Sequence, residues 1–155
     1  MTGSAAPAGG RFERLQRIRF AHCDPAGIVF YPQYFVMLQN HVEDWFNEGL
    51  GIAYAGLVSG RRVGLPTVSL QTDFTAVSRF GDEVVLGLAV ERLGGSSLGL
   101  VLDVHGADGP RVRVRKVIVC TSLDTHRAQA WPADVRTAIQ SFRGSASAAI
   151  PNPAA

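Results

Sequence analysis

One acidic residue, Asp24, stands in an otherwise uncharged run, CDPAGIVFYP, directly before a predicted helix. We expect this helix to begin near Tyr31 or Pro32, because proline is favoured at the first helical position, where its missing N–H is not needed. Free backbone N–H groups at a helix start carry partial positive charge and can bind a developing oxyanion. A carboxylate facing those donors could attack a carbonyl carbon. By pattern alone, a turn or capping role for Asp24 is the more common interpretation.

Neighbouring polar residues offer weaker candidates. His22 could orient Asp24 or a water, although a single histidine at a strand end usually has a structural role. Cys23 cannot readily pair with His22, because adjacent residues of an extended chain point to opposite sides. Several basic side chains could meet the phosphates of a nucleotide-like ligand, but exposed strand and turn positions often carry such residues; they are Arg92, Arg111, Arg113, Arg115 and Lys116.

Familiar hydrolase, metal and phosphate-loop motifs are absent from the sequence: it contains no G-x-S-x-G, H-E-x-x-H or G-x-x-x-x-G-K-[ST] run. We therefore predict no metal and no organic cofactor. The net charge of +2 comes without a lysine-rich tail or dense basic helix, so nucleic acid is not an expected partner.

The composition, with 155 residues, 46% hydrophobic and 18% charged, predicts one globular domain. No apolar run reaches the roughly 20 residues needed to cross a bilayer, and the N-terminus lacks the apolar stretch of a secretory signal. Two widely spaced cysteines indicate reduced thiols, so we expect a soluble cytoplasmic protein. The domain is predicted over residues 14–143, between disordered tails at 1–13 and 144–155, whose small residues bury too little apolar surface.

The elements that must position Asp24 follow from hydrophobic periodicity. A short strand is predicted over 15–21 and a long helix over 33–48, with His41 on the helix face away from its apolar stripe. Four further strands, joined by hairpin turns, are predicted over 66–77, 84–90, 98–104 and 111–121, and a terminal helix over 132–142. A change of phase at Arg115 and Lys116 predicts a bulge or the end of an exposed edge. This order indicates an α+β fold in which a five-stranded antiparallel sheet curls around one helix.

The run FAHCDPAGIVFYPQYF, residues 20–35, resembles the catalytic loop and helix start of the 4-hydroxybenzoyl-CoA thioesterase family, hotdog-fold enzymes related to the YbgC-type acyl-CoA thioesterases. The resemblance extends in outline from residue 14 to 138. It implies a single hotdog fold and hydrolysis of an acyl-CoA to the free acid and CoA. In that family the aspartate of the motif is the nucleophile or general base, which corresponds to Asp24. The backbone amide of the tyrosine, here Tyr31, holds the thioester carbonyl, and Gly27 would let the loop approach the ligand closely.

The resemblance also bears on the substrate. Where this subgroup of the family has an aspartate on the central helix near the phenol, this chain has Gln39, and Leu65 replaces a threonine before the proline of the second strand. Losing these polar partners should weaken selection for a para-hydroxyl group, so we predict a broad or non-para-hydroxylated aromatic acyl-CoA preference. The turn that carries basic residues for CoA phosphates in the family leaves only Arg92 here.

Association is expected as well, since the resemblance implies a homodimer or a homotetramer of two dimers, with Ser69 or Thr72 facing the partner's Asp24. Two other functions stay open. A hotdog-fold enoyl-CoA hydratase or dehydratase would use a histidine with an acidic partner, typically in a D-x-N-P-x-H run, where this chain has HCDPAG. A non-catalytic acyl-CoA binding module would keep all its function in Asp24→Asn. The sequence does not separate a nucleophilic from a general-base role of Asp24.

Overall fold

The structure, a computed structural model, describes residues 10–145. Its strands are β1 (Arg11–Arg17), β2 (Val63–Gly64), β3 (Thr67–Phe74), β4 (Glu83–Leu93), β5 (Ser97–Gly106), β6 (Gly109–Val119) and β7 (Thr121–Ser122). Its α-helices are α1 (Pro32–Asp44) and α2 (Ala133–Gly144).

Five of the strands form one antiparallel sheet in the order β1-β4-β5-β6-β3, and β2 pairs with β7 in a separate two-stranded sheet. The strands β4, β5 and β6 follow one another as hairpins, whereas β1 and β3 form the two edges. The predicted five-stranded antiparallel sheet is thus confirmed.

The central helix α1 continues into a π-helical turn, Trp45–Gly49, so that the helical segment is 18 residues long. Its apolar side chains recur at helical spacing and pack on one face of the sheet, where they form a single core with the inward side chains of the strands. The fully buried helix residues are Tyr34, Met37, Leu38, His41, Val42, Trp45 and Phe46. Contrary to the sequence-based expectation, His41 belongs to this set, with only 1% of its surface exposed.

The first strand begins earlier than predicted. It spans Arg11–Arg17 rather than 15–21, and Phe20–His22 forms a 3-10 turn. Residues 11–13, assigned above to a disordered tail, therefore lie in the sheet, and Gly144 ends α2. The sequence did not predict this start of the strand, because charged residues such as Arg11 and Glu13 are typical of exposed chain. In the structure Arg11 forms ion pairs with Glu13 and with Asp103, and the second of these joins residues that are distant in sequence. The rest of both predicted tails lies outside the described residues.

The bulge predicted at Arg115 and Lys116 is wrong. β6 pairs without interruption through both residues, and Lys116 faces inward in phase with Val112, Val114 and Ile118. The register shifts fall elsewhere, between Val90 and Arg92, between Thr67 and Ser69, and between Val104 and His105. Within residues 10–145, no helix is long and apolar enough to cross a membrane.

Candidate active site

The loop that carries Asp24 is closed at its base by backbone pairing between Cys23 and Val29. Inside it, the Asp24 N–H donates to the Ile28 carbonyl at 3.1 Å, and the Gly27 N–H donates to the Asp24 carbonyl at 3.0 Å. Gly27 has a φ of +75°, a conformation that favours glycine, so this residue allows the tight reversal. The Val29 N–H donates to the Ser78 carbonyl at 2.9 Å and fixes the loop to the segment before β4.

The Asp24 carboxylate is half-buried, and its Oδ1 accepts a hydrogen bond from the Ala26 N–H at 2.9 Å. This is the turn contact that the sequence pattern favoured. This hydrogen bond uses only part of the side chain's capacity to accept hydrogen bonds, because a carboxylate has two acceptor oxygens. In the described part of the chain, Oδ2 has no hydrogen-bond partner. One oxygen thus holds the loop while the other is available for chemistry.

The start of α1 is open. Tyr31 is the N-cap with φ −50° and Pro32 follows it, while the first turn carries neither a side-chain cap nor an acidic residue. The Phe30 N–H donates to the His22 carbonyl at 2.9 Å, which brings the helix start beside the base of the Asp24 loop. The Tyr31 N–H finds no acceptor among residues 10–145. A free donor therefore stands at the positive end of the helix.

Tyr31 also lines a cavity of about 270 Å³. It is lined by Val29, Tyr31, Tyr34, Phe74, Thr75, Ala76 and Val77. The rings of Tyr31 and Phe74 meet edge to face with centroids 6.2 Å apart, and 59% of the Tyr31 surface is exposed. Such a lining suits a flat apolar group. Asp24 does not line this cavity in the single chain.

A second cavity, of about 230 Å³, lies further along α1 and β3. Its lining is mostly apolar, with polar groups from Gln39, Thr67 and Lys116. Lys116 Nζ donates to Gln39 Oε1 at 2.6 Å, and burial lowers the pKa of Lys116. Phe35 lines this second cavity and contacts Phe74 of the first, with centroids 6.4 Å apart, so the two cavities are neighbours.

His22 is engaged away from Asp24. Its Nδ1 accepts a hydrogen bond from the Arg19 N–H at 2.9 Å, and burial, together with the charge of Arg19, lowers its pKa. Burial and the neighbouring Asp24 charge raise the pKa of Cys23, whose thiol donates to the Arg19 carbonyl. The two side chains form no Cys–His pair.

The other predicted site residues are dispersed. Ser69 and Thr72 lie on opposite faces of β3, three positions apart, and Thr72 shares the helix face. Leu65 packs against the core outside both cavities, and Arg92 is exposed at the β4 bulge. Of the predicted site residues, Gln39 lines the second cavity and Tyr31 lines the first.

Sequence reasoning grouped Lys116 with the exposed basic residues and so missed its position inside the fold. The strand periodicity could have predicted this inward position. Side chains two residues apart in a strand share a face, so Lys116 lies on the same face as Val112, Val114 and Ile118. Within residues 10–145, no group of three or more His, Cys, Asp or Glu side chains is placed so that it could hold a metal ion.

Comparison with known proteins identifies the family of this chain. A family model described as the thioesterase-like superfamily matches residues 18–139. A 1,4-dihydroxy-2-naphthoyl-CoA hydrolase from Synechocystis is 23% identical over 132 residues, which cover 84% of this chain and 95% of that protein. A 4-hydroxybenzoyl-CoA thioesterase from Pseudomonas is 32% identical over 77 residues, 49% of this chain and 55% of that protein.

Solved structures agree on the architecture. The crystal structure of a 1,4-dihydroxy-2-naphthoyl-CoA thioesterase from Synechocystis superimposes with a TM-score of 0.77 at 22% identity, covering 84% of this chain and 96% of that one. Together with the family match, this likeness confirms the predicted hotdog fold.

Proposed function

The chain belongs to the thioesterase-like superfamily, and from that premise we propose that this thioester hydrolase acts on an aromatic acyl-CoA, giving the free acid and CoA. The observation that carries the proposal is the unpaired Tyr31 N–H at the open start of α1, beside a cavity lined with aromatic rings. The names of the two curated relatives, which act on naphthoyl and benzoyl thioesters, support the aromatic class.

In the proposed mechanism, the thioester carbonyl oxygen accepts a hydrogen bond from the Tyr31 N–H, where the helix dipole stabilises the oxyanion that develops during attack. Asp24 then acts in one of two ways. As a nucleophile, its free Oδ2 bonds to the carbonyl carbon, the C–S bond breaks, CoA leaves and water cleaves the resulting anhydride. As a general base, it takes a proton from a water that attacks the same carbon.

A single turnover in heavy-oxygen water separates the two routes. Label in the Asp24 carboxylate, detected by mass spectrometry of a peptide containing residue 24, indicates the anhydride. Label confined to the product acid excludes an anhydride that water cleaves at the aspartyl carbon and is the result expected for the general-base route.

We also propose that two chains complete the site. Asp24 lines neither cavity of the single chain, and both cavities lie along β3, an edge strand with exposed apolar side chains. Those side chains are Val68, Leu70 and Phe74. An exposed apolar edge favours pairing with a second copy. A homodimer, alone or within a homotetramer of two dimers, would bring Asp24 and the helix start of one chain towards β3 of the other.

The experiment compares wild type with Asp24→Asn and Asp124→Asn on a panel of benzoyl-CoA, 4-hydroxybenzoyl-CoA, 1,4-dihydroxy-2-naphthoyl-CoA and octanoyl-CoA. We expect Asp24→Asn to lower kcat at least about 100-fold, because the substitution removes the nucleophile or base. Asp124 serves as the control, since it is exposed and pairs with Arg62 at 3.2 Å. Wild type that leaves every aromatic thioester intact would refute the proposed function.

The two alternative functions are tested by adding an enoyl-CoA to this panel and by measuring binding as well as hydrolysis. A hydratase needs a histidine with an acidic partner, whereas His22 is bonded to the Arg19 amide. Turnover of an enoyl-CoA by wild type would establish that class. Binding without hydrolysis, retained in Asp24→Asn, would establish a binding module.

A further inference from the structure

Lys116 is a basic side chain placed inside the fold, with only 8% of its surface exposed. It projects from β6 into the second cavity among apolar side chains. In the described part of the chain, no carboxylate lies within ion-pair distance of its Nζ, and its one hydrogen-bond partner is the neutral Gln39. A buried cation without a counter-ion is costly, so charged side chains inside proteins are normally paired. An anion in this cavity would supply the counter-ion that Lys116 lacks within the described residues.

We propose that Lys116 and Gln39 bind an anionic oxygen at the far end of the acyl group, so that the substrate is an aromatic acyl-CoA with a carboxylate or an acidic phenol remote from the thioester. This inference rests on the proposed function and specifies its substrate class. It also revises the expectation drawn from Gln39 and Leu65, because an inward cation gives the cavity a charged partner for the acyl group that the sequence pattern did not reveal.

The donors at this end suit such an oxygen. Gln39 Oε1 accepts from Lys116, and the Gln39 amide N–H₂ carries two protons, so that one remains for a ligand oxygen beside the hydrogen bond to the Tyr54 hydroxyl. The Lys116 ammonium retains further protons beyond the one given to Gln39. Both groups can therefore donate to one carboxylate or phenolate oxygen, and hydrogen bonds between charged partners are stronger than those between neutral ones.

The position along the helix fits an aromatic acyl group. Gln39 follows Tyr31 by eight residues, roughly 12 Å along the axis of α1 at the usual helical rise. Long side chains on a helix point back toward its N-terminus, which shortens the gap between the Tyr31 amide and the Gln39 amide group. The Phe35–Phe74 ring contact lies where the two cavities meet. An acyl group held by its carbonyl at Tyr31 would pass these rings and present its far substituent to Lys116.

The test uses two CoA thioethers that cannot be hydrolysed, bearing 6-carboxy-2-naphthylmethyl and 6-nitro-2-naphthylmethyl groups. Nitro and carboxylate groups are nearly isosteric, so the pair differs mainly in charge. Calorimetric titration of wild type should give at least about tenfold tighter binding of the carboxylate compound. In Lys116→Met, which keeps an unbranched side chain of similar length, this preference should fall to twofold or less. A third thioether with a 6-hydroxy group separates phenol from carboxylate recognition.

Two results would overturn the inference: equal affinity of wild type for the carboxylate and nitro compounds, or a carboxylate preference that survives in Lys116→Met. Thermal unfolding of Lys116→Met controls for the fold, and Lys116→Arg, which keeps the cation, should retain the preference if the methionine variant is unstable. Binding of these thioethers does not depend on catalysis. A charge preference without hydrolysis of any aromatic thioester would therefore refute the proposed function alone, and hydrolysis without a charge preference would refute this inference alone.

Discussion

The two edge strands of the sheet, β1 and β3, differ in how they end it. On β1, charged side chains are paired within the chain: Arg11 with Glu13 and Asp103, Arg14 with Glu48, and Arg17 with Glu83. On β3, the exposed side chains include Val68, Leu70 and Phe74, and both cavities lie beside it. The β1 edge is complete in one chain. The β3 edge exposes apolar side chains and two cavities, and we propose that a second chain and a ligand cover them.

We propose that this difference marks where function is concentrated. Sheet edges are normally protected by charge, and β1 follows that rule. An edge that lacks such protection is a liability unless something binds there. The open start of α1 and the Lys116–Gln39 pair lie on the β3 side, whereas the neutral His41 supports the β1 side by donating from Nε2 to the Phe12 carbonyl at 3.2 Å.

The largest effect is expected on the β3 edge. Val68 and Leu15 have almost equal exposure, 60% and 59%, but lie on opposite edges. Val68→Lys should shift sedimentation toward the monomer and lower kcat/KM at least about 100-fold, because an edge lysine opposes strand pairing and, in the proposed dimer, the two chains share each site. Leu15→Lys should match wild type in both measurements.

Equal behaviour of the two lysine variants would remove the functional distinction between the edges. A wild-type chain that sediments as a monomer at micromolar concentration would also contradict the proposed role of the β3 edge in association.

The second effect concerns His41 on the β1 side, where burial lowers its pKa to about 4, below the ordinary value of 6.5. Between these values the unfolded chain binds more protons than the folded one. The stability that the folded chain gains from burying a neutral His41 is therefore complete above about pH 6.5 and is lost as the pH falls toward 4. The free energy of unfolding should decrease by at most about 1.4 kcal/mol per pH unit in that window.

Urea unfolding of wild type and His41→Gln across the same pH range measures this. Glutamine can still donate to the Phe12 carbonyl but does not titrate, so the variant should show a flatter pH dependence. Parallel curves would show that His41 does not titrate as described.

The smallest effects compare two ion pairs of β1. Arg11 makes two hydrogen bonds to Asp103, at 2.7 and 2.8 Å. Burial raises the pKa of Asp103, but the hydrogen bonds and charge of Arg11 outweigh it, so the net pKa is lowered. Arg11→Met should lower the free energy of unfolding by about 2 kcal/mol, because it removes two charge-assisted hydrogen bonds from a largely buried carboxylate and leaves it only the contact with His105 at 3.1 Å.

Arg17 provides the matched case, since its pair with Glu83 at 2.8 Å is exposed. Arg17→Met should change the free energy of unfolding by less than about 0.5 kcal/mol. Denaturant titration of both variants measures the difference. An equal loss of unfolding free energy in the two would contradict the prediction that the more buried Arg11–Asp103 pair contributes more to stability than the exposed Arg17–Glu83 pair.

The fold was predictable because its signals are local. Helical spacing of apolar residues located α1, and alternation with hairpin turns located β4, β5 and β6. The run from Phe20 to Phe35 is specific enough to predict the hotdog architecture through its resemblance. The start of β1 was not predictable in this way. Charged residues such as Arg11 and Glu13 are typical of exposed loops, and the ion pair between Arg11 and Asp103, which is distant in sequence, is seen only in the folded structure.

The site was predictable only in part. Proline at the first position of α1 indicated the open Tyr31 amide, and the Asp24 loop was located by its motif. The inward position of Lys116 was missed, because a lysine in a strand is normally exposed. Its hydrogen bond to Gln39 joins residues 77 positions apart, which no local pattern can reveal.

The central claim, that the Tyr31 N–H binds the developing oxyanion, is tested most directly by removing that one hydrogen. Tyr31 has φ −50°, close to the value that proline imposes, so Tyr31→Pro can remove the N–H without moving the backbone. Tyr31→Ala removes the ring but keeps the donor. With an aromatic acyl-CoA and folding checked by thermal unfolding, kcat of Tyr31→Pro should be about 100- to 1,000-fold below that of Tyr31→Ala. A folded Tyr31→Pro that hydrolyses the thioester as fast as Tyr31→Ala would contradict the account.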